Sequence, residues 1–328
     1  MKHRIIGTNH KRIFLLYVLG VTLLLVIGLI VLRKRRSVIL VPSVPNSVVL
    51  TEVRVRAVER KHVSDHHVAG AKASAVVAII CGDDLATADR YEARSDALRS
   101  IARRRDLPRN DVALLMAYVG STNDALRAER TAALKNDVLN LLRNQEPVPN
   151  DLADLLIGMF QAGNHPPVVL DYCLQHLGAM QDDVIDSTLR DRIRAVLVEA
   201  AKRIRFPYAG TALYSLAEDR RGGSARTAEL KRLSLALCDP SANAAARIAA
   251  IQLVGQRGWC EALPILRKML TDSRRDAVVD MAAIGSIGLL GGVEDLPILE
   301  SMRTKGSVRL RPAIDAAIRR IKERNGGT

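Results

Sequence analysis

A chain of 328 residues, 48% of them hydrophobic, is long enough to bury a sizeable core, yet Phe, Trp and Tyr together make up only 3%. Ala, Leu, Val, Ile and Arg dominate instead, which suits close-packed helices and argues against sheets. The formal net charge of +14 favours anionic partners, while Cys81, Cys173, Cys238 and Cys260 are too scattered for a disulfide framework or a zinc site and are expected as buried thiols.

Residues 1–12 form a short basic tail with Lys2, Arg4, Lys11 and Arg12. Ile13 to Leu32 then runs for 20 residues without a charge. At the rise of a helix this run matches the hydrocarbon core of a bilayer, about 30 Å. Arg33-Lys34-Arg35-Arg36 follows at once, where a cleaved leader would carry small residues. We therefore expect an uncleaved transmembrane helix over 13–32, flanked by Lys11, Arg12 and Arg33 to Arg36. The expected location is a membrane, crossed once, most simply a bacterial inner membrane. Four basic residues lie on each side, so the charge rule nearly cancels. The side of the C-terminal region stays open, with the short tail favouring the outside of the cytoplasm.

Residues 33–83 are expected as a basic juxtamembrane linker, with Pro42, Pro45 and an alternating Val53-Arg54-Val55-Arg56. His62 and His66 have helical ligand spacing, but their flanks give no helical face, so no metal site is expected there. Ala69 to Ile80 is apolar, too short to span a bilayer, and expected to dock on the first helix that follows.

From about Asp84 the period is helical. Leu134, Val138, Leu141 and Leu142 mark one amphipathic helix. Leu152, Leu155, Leu156, Met159 and Phe160 mark the next. Leu170, Cys173, Leu174 and Leu177, then Leu189, Ile193, Val196, Leu197 and Ala200, repeat the stripe. Short breaks rich in Pro, Asn, Asp and Gly separate these runs, so neighbours are expected as antiparallel hairpins, with Asn or Asp as N-caps. We divide this part into a divergent helical-repeat region at 84–204 and clearer repeats with a capping helix at 205–328.

The clear repeats lie at 239–302. Between 249–269 and 282–302, 33 positions apart, 11 of 21 residues are identical. A fixed period of this length marks a stacked array in which each unit buries its apolar face against its neighbours. Ala250 and Ala283 are expected to let helices approach. Gly255 and Gly258, and likewise Gly288 and Gly291, are expected to end the first helix of each unit, while Gly285-Ser286-Ile287-Gly288 is also read as tight packing inside a repeat helix. Leu263-Pro264 and Leu296-Pro297 open the second helix, where a missing N–H costs nothing. Arg309, Arg311, Arg319, Arg320 and Lys322 line the outer face of a terminal helix.

The pattern Asp239-Pro240, Arg247, Ala249-Ala250, Gly255, Gly258 and Ala262 to Leu266 resembles HEAT repeats, in particular the short type of the phycobilisome bilin lyases. The resemblance is good over 239–322 and weak over 84–204. It implies an all-α fold, an α-solenoid of antiparallel helix pairs, and a surface that binds proteins. The matching residues are packing and capping residues, so the resemblance speaks for architecture rather than function. Deoxyhypusine hydroxylases, relatives in that repeat class, hold di-iron on His-Glu pairs. No His-Glu dipeptide occurs here, and only His165 and His176 lie in the helical region.

No stretch matches a phosphate-binding loop or a nucleophile elbow. Tyr172, Cys173 and His176 share a helical face without an orienting third group, so they are read as core. Asp182, Asp183 and Asp186 suit the start of the next helix. Basic clusters at Arg103 to Arg105, Lys202-Arg203, Arg205, Arg220-Arg221, Lys231-Arg232 and Arg274-Arg275 are interleaved with acids. The scarcity of aromatic residues argues against single-stranded nucleic acid.

The expected function is therefore a membrane-anchored, non-catalytic protein-interaction scaffold without cofactor. Its partner groove is placed at Arg267, Lys268 and Glu300, on the second helices of the repeats. Anionic lipid head groups are a further expected contact. One alternative is a bilin-lyase-like enzyme or subunit acting on a bound chromophore or cofactor. Another is electrostatic binding to anionic lipid or nucleic acid.

Overall fold

A computed structural model describes residues 73–82, 89–124, 126–219, 223–272, 276–305 and 307–326. The expected tail, transmembrane helix and most of the linker lie outside the described residues, as do the His62–His66 pair and the alternating valines. Among the described residues there is no strand, and no helix is long and apolar enough to cross a membrane. They all belong to the unit Val63–Thr328.

The chain forms fourteen described helices in sequence: α1 Ala73–Cys81, α2 Tyr91–Ile101, α3 Arg109–Gly120, α4 Ala128–Arg143, α5 Leu152–Ala162, α6 Pro167–Met180 and α7 Ser187–Lys202. The array continues with α8 Tyr208–Glu218, α9 Ser224–Leu237, α10 Ala244–Gln256, α11 Leu263–Thr271, α12 Ala277–Leu290, α13 Leu296–Lys305 and α14 Arg311–Gly326. The apolar stripes read from sequence become the core. In α5, for example, Leu152, Leu156, Met159 and Phe160 are buried. In α7 Ile193, Val196, Leu197 and Ala200 are buried. Each of the larger side chains among them contributes about 1.5–3 kcal/mol on burial.

Capping oxygens fix several starts. Asp186 accepts from the Thr188 N–H, Asn243 from Ala245, Asp276 from Val278 and Ser307 from Arg309. Asp111 and Asp151 do not serve in this way: Asp151 makes no capping bond, and Asp111 lies inside α3, buried. Pro167 and Pro264 open α6 and α11.

The helices fall into two rows. Even-numbered helices pack side by side from α2 through α14, and odd-numbered helices form the second row against them. The even row is the closer one. A Cβ on Gly210 of α8 would lie 3.0 Å from both the Ala246 Cα and the Ala249 Cβ of α10. One on Gly255 of α10 would lie 2.6 Å from Ser286 Oγ of α12, and one on Gly288 of α12 would lie 2.9 Å from Ala317 Cα and Cβ of α14. Gly178 of α6 meets Ser215 of α8 in the same manner. Ala250 and Ala283 are fully buried in this row.

The expectation that these repeat glycines end helices needs correcting. Gly258 does, with φ +72 beyond the C-cap of α10. Gly255 and Gly288 lie inside helices and are there because a neighbouring helix leaves no room for a side chain. Gly291 follows α12 with φ −71, and a Cβ there would strike Asp295 and the Ile287 carbonyl.

The N-terminal boundary also shifts. α1 packs on α2 and α3, so part of the stretch read as linker belongs to the array. Arg94 of α2 fixes it: buried to 1% exposure, its Nε donates to the Ile80 carbonyl at 2.9 Å.

These contacts predict opposite signs for two neighbouring substitutions in α12. Gly288→Ala pushes a methyl into Ala317 backbone and is expected to destabilise by about 1–3 kcal/mol. Gly285→Ala faces open space and is expected to stabilise by about 0.5–1 kcal/mol, as a helix-interior Gly-to-Ala change does. Denaturant melts of the two variants measure both.

Candidate functional site

Pro264 and Pro297 start α11 and α13 at equivalent repeat positions, so the two short helices stand side by side in the odd row. Contact between them is slight, and an open groove of about 400 Å³ lies there, lined by Arg267, Lys268, Thr271, Glu294, Asp295 and Ile298.

Its residues divide into a fixed wall and an open one. Arg267 donates from Nε to Asp295 Oδ1 at 2.6 Å and from Nη2 to Asp295 Oδ2 at 2.9 Å. The same Nη2 reaches Glu294 Oε1 at 3.1 Å. Asp295 is 1% exposed and also accepts the Gly292 N–H at 3.0 Å. The hydrogen bonds to Asp295 hold Arg267 further into its charged form, with the two nearby carboxylates adding to them. Arg267 is thus a brace from one repeat to the turn of the next. Lys268 and Thr271 are exposed, Ile298 is half-buried, and Lys268 makes no ion pair among the described residues. A cation, a hydroxyl and an aliphatic side chain therefore face solvent together.

Of the three groove residues expected from sequence, Arg267 and Lys268 line this groove and Glu300 does not. Glu300 instead lies 3.8 Å from Lys322 Nζ of α14. Asp295, Glu294, Thr271 and Ile298 were not anticipated. Position 295 corresponds to Ala262 in the preceding repeat, so the repeat pattern itself pointed to a small apolar residue there.

The other polar clusters are internal. Asp124, in the turn after α3, takes Arg94 Nη1 at 2.7 Å, the Tyr118 hydroxyl at 2.8 Å and the Leu126 N–H at 2.9 Å. Burial alone would raise its pKa, but these donors outweigh it and leave the carboxyl below its usual range. Lys135 is buried, which lowers its pKa, and it donates to the Val119 carbonyl in the last turn of α3 and to the Ser121 carbonyl just past it. Tyr118 is sandwiched between Arg94 and Lys135, 5.0 and 5.5 Å from its ring centre. The cluster binds helix ends together and offers no open face.

His176 sits in the core at 4% exposure, with Nε2 3.2 Å from Asn136 Oδ1 and no partner for Nδ1. Burial, with Arg143 adding to it, pushes its pKa down to about 3. Burial likewise raises the Cys173 thiol to about 12. Neither supplies a base or a thiolate at neutral pH. Cys173 and Cys238 are buried as expected, whereas Cys81 is half-buried and Cys260 exposed. Among the described residues, no three His, Cys, Asp or Glu side chains gather as a metal site requires.

Residues 230–318 match the family model of HEAT repeats. Those residues take in α10 to α13 with parts of α9 and α14 on either side. Among solved structures, the chain is similar to human deoxyhypusine hydroxylase in complex with glycerol, with 15% identity over 76% of this chain and 96% of that one, at a TM-score of 0.31. No curated protein matches the chain in sequence. The comparison with an enzyme overturns the expectation that the chain is not one, and that expectation is dropped. At this TM-score the likeness assigns no chemistry to these residues either.

Two measurements follow from the site. Asp295→Asn is expected to cost about 1–3 kcal/mol, since it unpairs a brace that is buried on one side and partly solvated on the other. Glu294→Gln, at an exposed pair, is expected to stay within about 0.5 kcal/mol; urea melts compare the two. For His176, the folded pKa lies below the unfolded one. Its contribution is therefore fully present above the unfolded value of about 6.5 and is lost as pH falls from there towards about 3. The slope reaches at most about 1.4 kcal/mol per pH unit. Melts of wild type and His176→Leu between those limits are expected to show a flatter pH dependence in the variant.

Proposed function

We propose that this protein is a helical-repeat interaction scaffold, tethered to a membrane by residues 13–32, whose groove between α11 and α13 receives a segment of a protein partner. The observation that carries this reading is the opening of the odd row at that point. There Lys268, Thr271 and Ile298 face solvent while Arg267 is held back by Asp295 and Glu294. HEAT repeats over 230–318 support it, because stacked repeats create extended surfaces for partners. The tether rests on the uncharged run of 20 residues and its basic flanks.

The groove chemistry favours a segment that offers an apolar side chain to Ile298 and a carboxylate or backbone carbonyls to Lys268. Thr271, whose hydroxyl donates to the Lys268 carbonyl at 2.9 Å, supplies a neighbouring acceptor. Such a groove recognises an extended or helical segment through a few anchors rather than through area.

A photo-crosslinking amino acid placed at Lys268, with a control at exposed Gln175 of α6, tests this in intact cells. A discrete adduct from position 268, absent from 175 and lost when Thr271→Glu and Ile298→Asp are added, is the expected result. Identical adducts at both positions, or none at 268, would count against the groove.

A further inference from the structure

The two edges of the helical array differ in chemistry, and one of them combines free cations with exposed apolar tips. Because α8, α10, α12 and α14 pack in order and each is reached through an odd helix, their N-terminal ends share one edge. The Asn243 N–H donates to the Ile204 carbonyl at 2.8 Å, joining the turns that precede α10 and α8 on that edge. At the other edge, Arg257 donates to the Ala217 carbonyl at the end of α8. Arg324 of α14 donates to the Leu289 carbonyl at the end of α12, at 2.7 Å.

On the first edge, Phe206 is 42% exposed, Val278 49%, Met281 44% and Val308 68%. Around them Lys202, Arg205, Arg309 and Arg311 are exposed, and none makes an ion pair among the described residues. Among the described residues the acids on this edge include Glu199, Asp239, Asp272, Asp276 and Asp315, with Asp280 buried; Glu199 pairs with Arg203 at 3.5 Å and Asp315 with Arg303 at 2.7 Å. Asp239 accepts from Ser241 and Asp276 caps α12, so these two carboxylates are engaged locally. The opposite edge also exposes apolar residues, Ile185, Leu289 and Val293, but sets them among acids: Asp182, Asp183, Asp186, Glu218, Glu261 and Glu294.

We propose that the edge formed by the N-terminal ends of α8, α10, α12 and α14 docks on the anionic head groups of a lipid bilayer. The arginines meet lipid phosphates, and Val278, Met281, Val308 and Phe206 enter the interface. Apolar tips on an edge that also carries unpaired cations, Lys202 and Arg205 beside Phe206 and Arg309 and Arg311 beside Val308, fit that boundary, where burial and electrostatic attraction act together. Single-stranded nucleic acid fits less well. Three of the four tips are aliphatic, and the Phe206 ring already stacks on Tyr208 at 5.0 Å, so no free ring stands ready for a base. The assignment does not depend on the α11–α13 groove. Nor does it depend on a transmembrane helix, because its readout is which edge touches lipid, not whether the chain sediments with it.

The full chain, with Cys81 and Cys260 replaced by serine, is reconstituted in vesicles of phosphatidylglycerol or of phosphatidylcholine. An environment-sensitive fluorophore is carried on Val308→Cys or on Ile185→Cys, the latter on the opposite edge at 94% exposure. On phosphatidylglycerol the probe at 308 is expected to shift to the blue and to be quenched by spin-labelled lipid, while the probe at 185 remains in water. On phosphatidylcholine both stay in water. Combining Arg205→Glu, Arg309→Glu and Arg311→Glu, all at exposed positions, is expected to reduce the shift at 308 at least about tenfold, since each basic residue near an anionic surface is worth about 1 kcal/mol. A water-like probe at 308 on phosphatidylglycerol overturns the proposal, as does equal quenching at 308 and 185. So does a shift at 308 that duplex DNA produces and phosphatidylglycerol does not.

Discussion

The structure depends on how closely the even-numbered helices approach one another. At Gly210 against Ala246 and Ala249, Gly255 against Ser286, and Gly288 against Ala317, one backbone sits where a side chain would otherwise stand. Close approach gains dispersion contacts along the row and leaves no room for larger residues. Ser286 adds a directional bond, its Oγ donating to the Ile251 carbonyl of the neighbouring helix at 2.7 Å. The odd row is under no such constraint between α11 and α13. Its short helices face each other across a gap closed by a charged brace rather than by apolar packing, and the groove is the consequence.

Much of the positive charge is used within the array. Arg94 binds Asp124 and the end of α1. Arg257 and Arg324 donate to carbonyls that the ends of α8 and α12 leave unpaired, and Lys135 does so at the end of α3. Cations placed at helix C-termini satisfy those oxygens and oppose the helix dipole favourably. Arg267 links successive units through the buried carboxylate of Asp295. What remains uncommitted is a smaller set of basic residues, concentrated at turns, and it is there that anionic partners become relevant. The formal charge of +14 alone does not separate the two groups.

The helical architecture was legible because its signals are local or periodic. Apolar spacing in α5 and α7, the prolines opening α11 and α13, and the 33-residue repetition around Ala250 and Ala283 each follow from one-dimensional pattern. What the sequence hid depends on distant neighbours. A glycine near a helix end reads as a cap, and Gly255 shows a packing role only once Ser286, in the next repeat, is placed against it. Arg267 reads as a solvent-facing groove residue until Asp295 is seen to hold it. Glu300 has the same character on a helical projection, yet it turns towards Lys322 on the terminal helix. The apolar segment at 73–81 is expected to dock on the first helix that follows and does, but its anchor, Arg94, stays hidden because it lies on that other helix.

The contact between Gly255 and Ser286 tests the ordering role of the close row most directly. A double-mutant cycle of Gly255→Ala with Ser286→Gly, followed by denaturant unfolding, isolates the coupling between the two positions. The account predicts a coupling of about 1–2 kcal/mol, with the double variant more stable than the two single losses sum to, because removing the serine side chain makes room for the new methyl. Additivity within about 0.5 kcal/mol would mean that the helices do not meet there as described, and would contradict it.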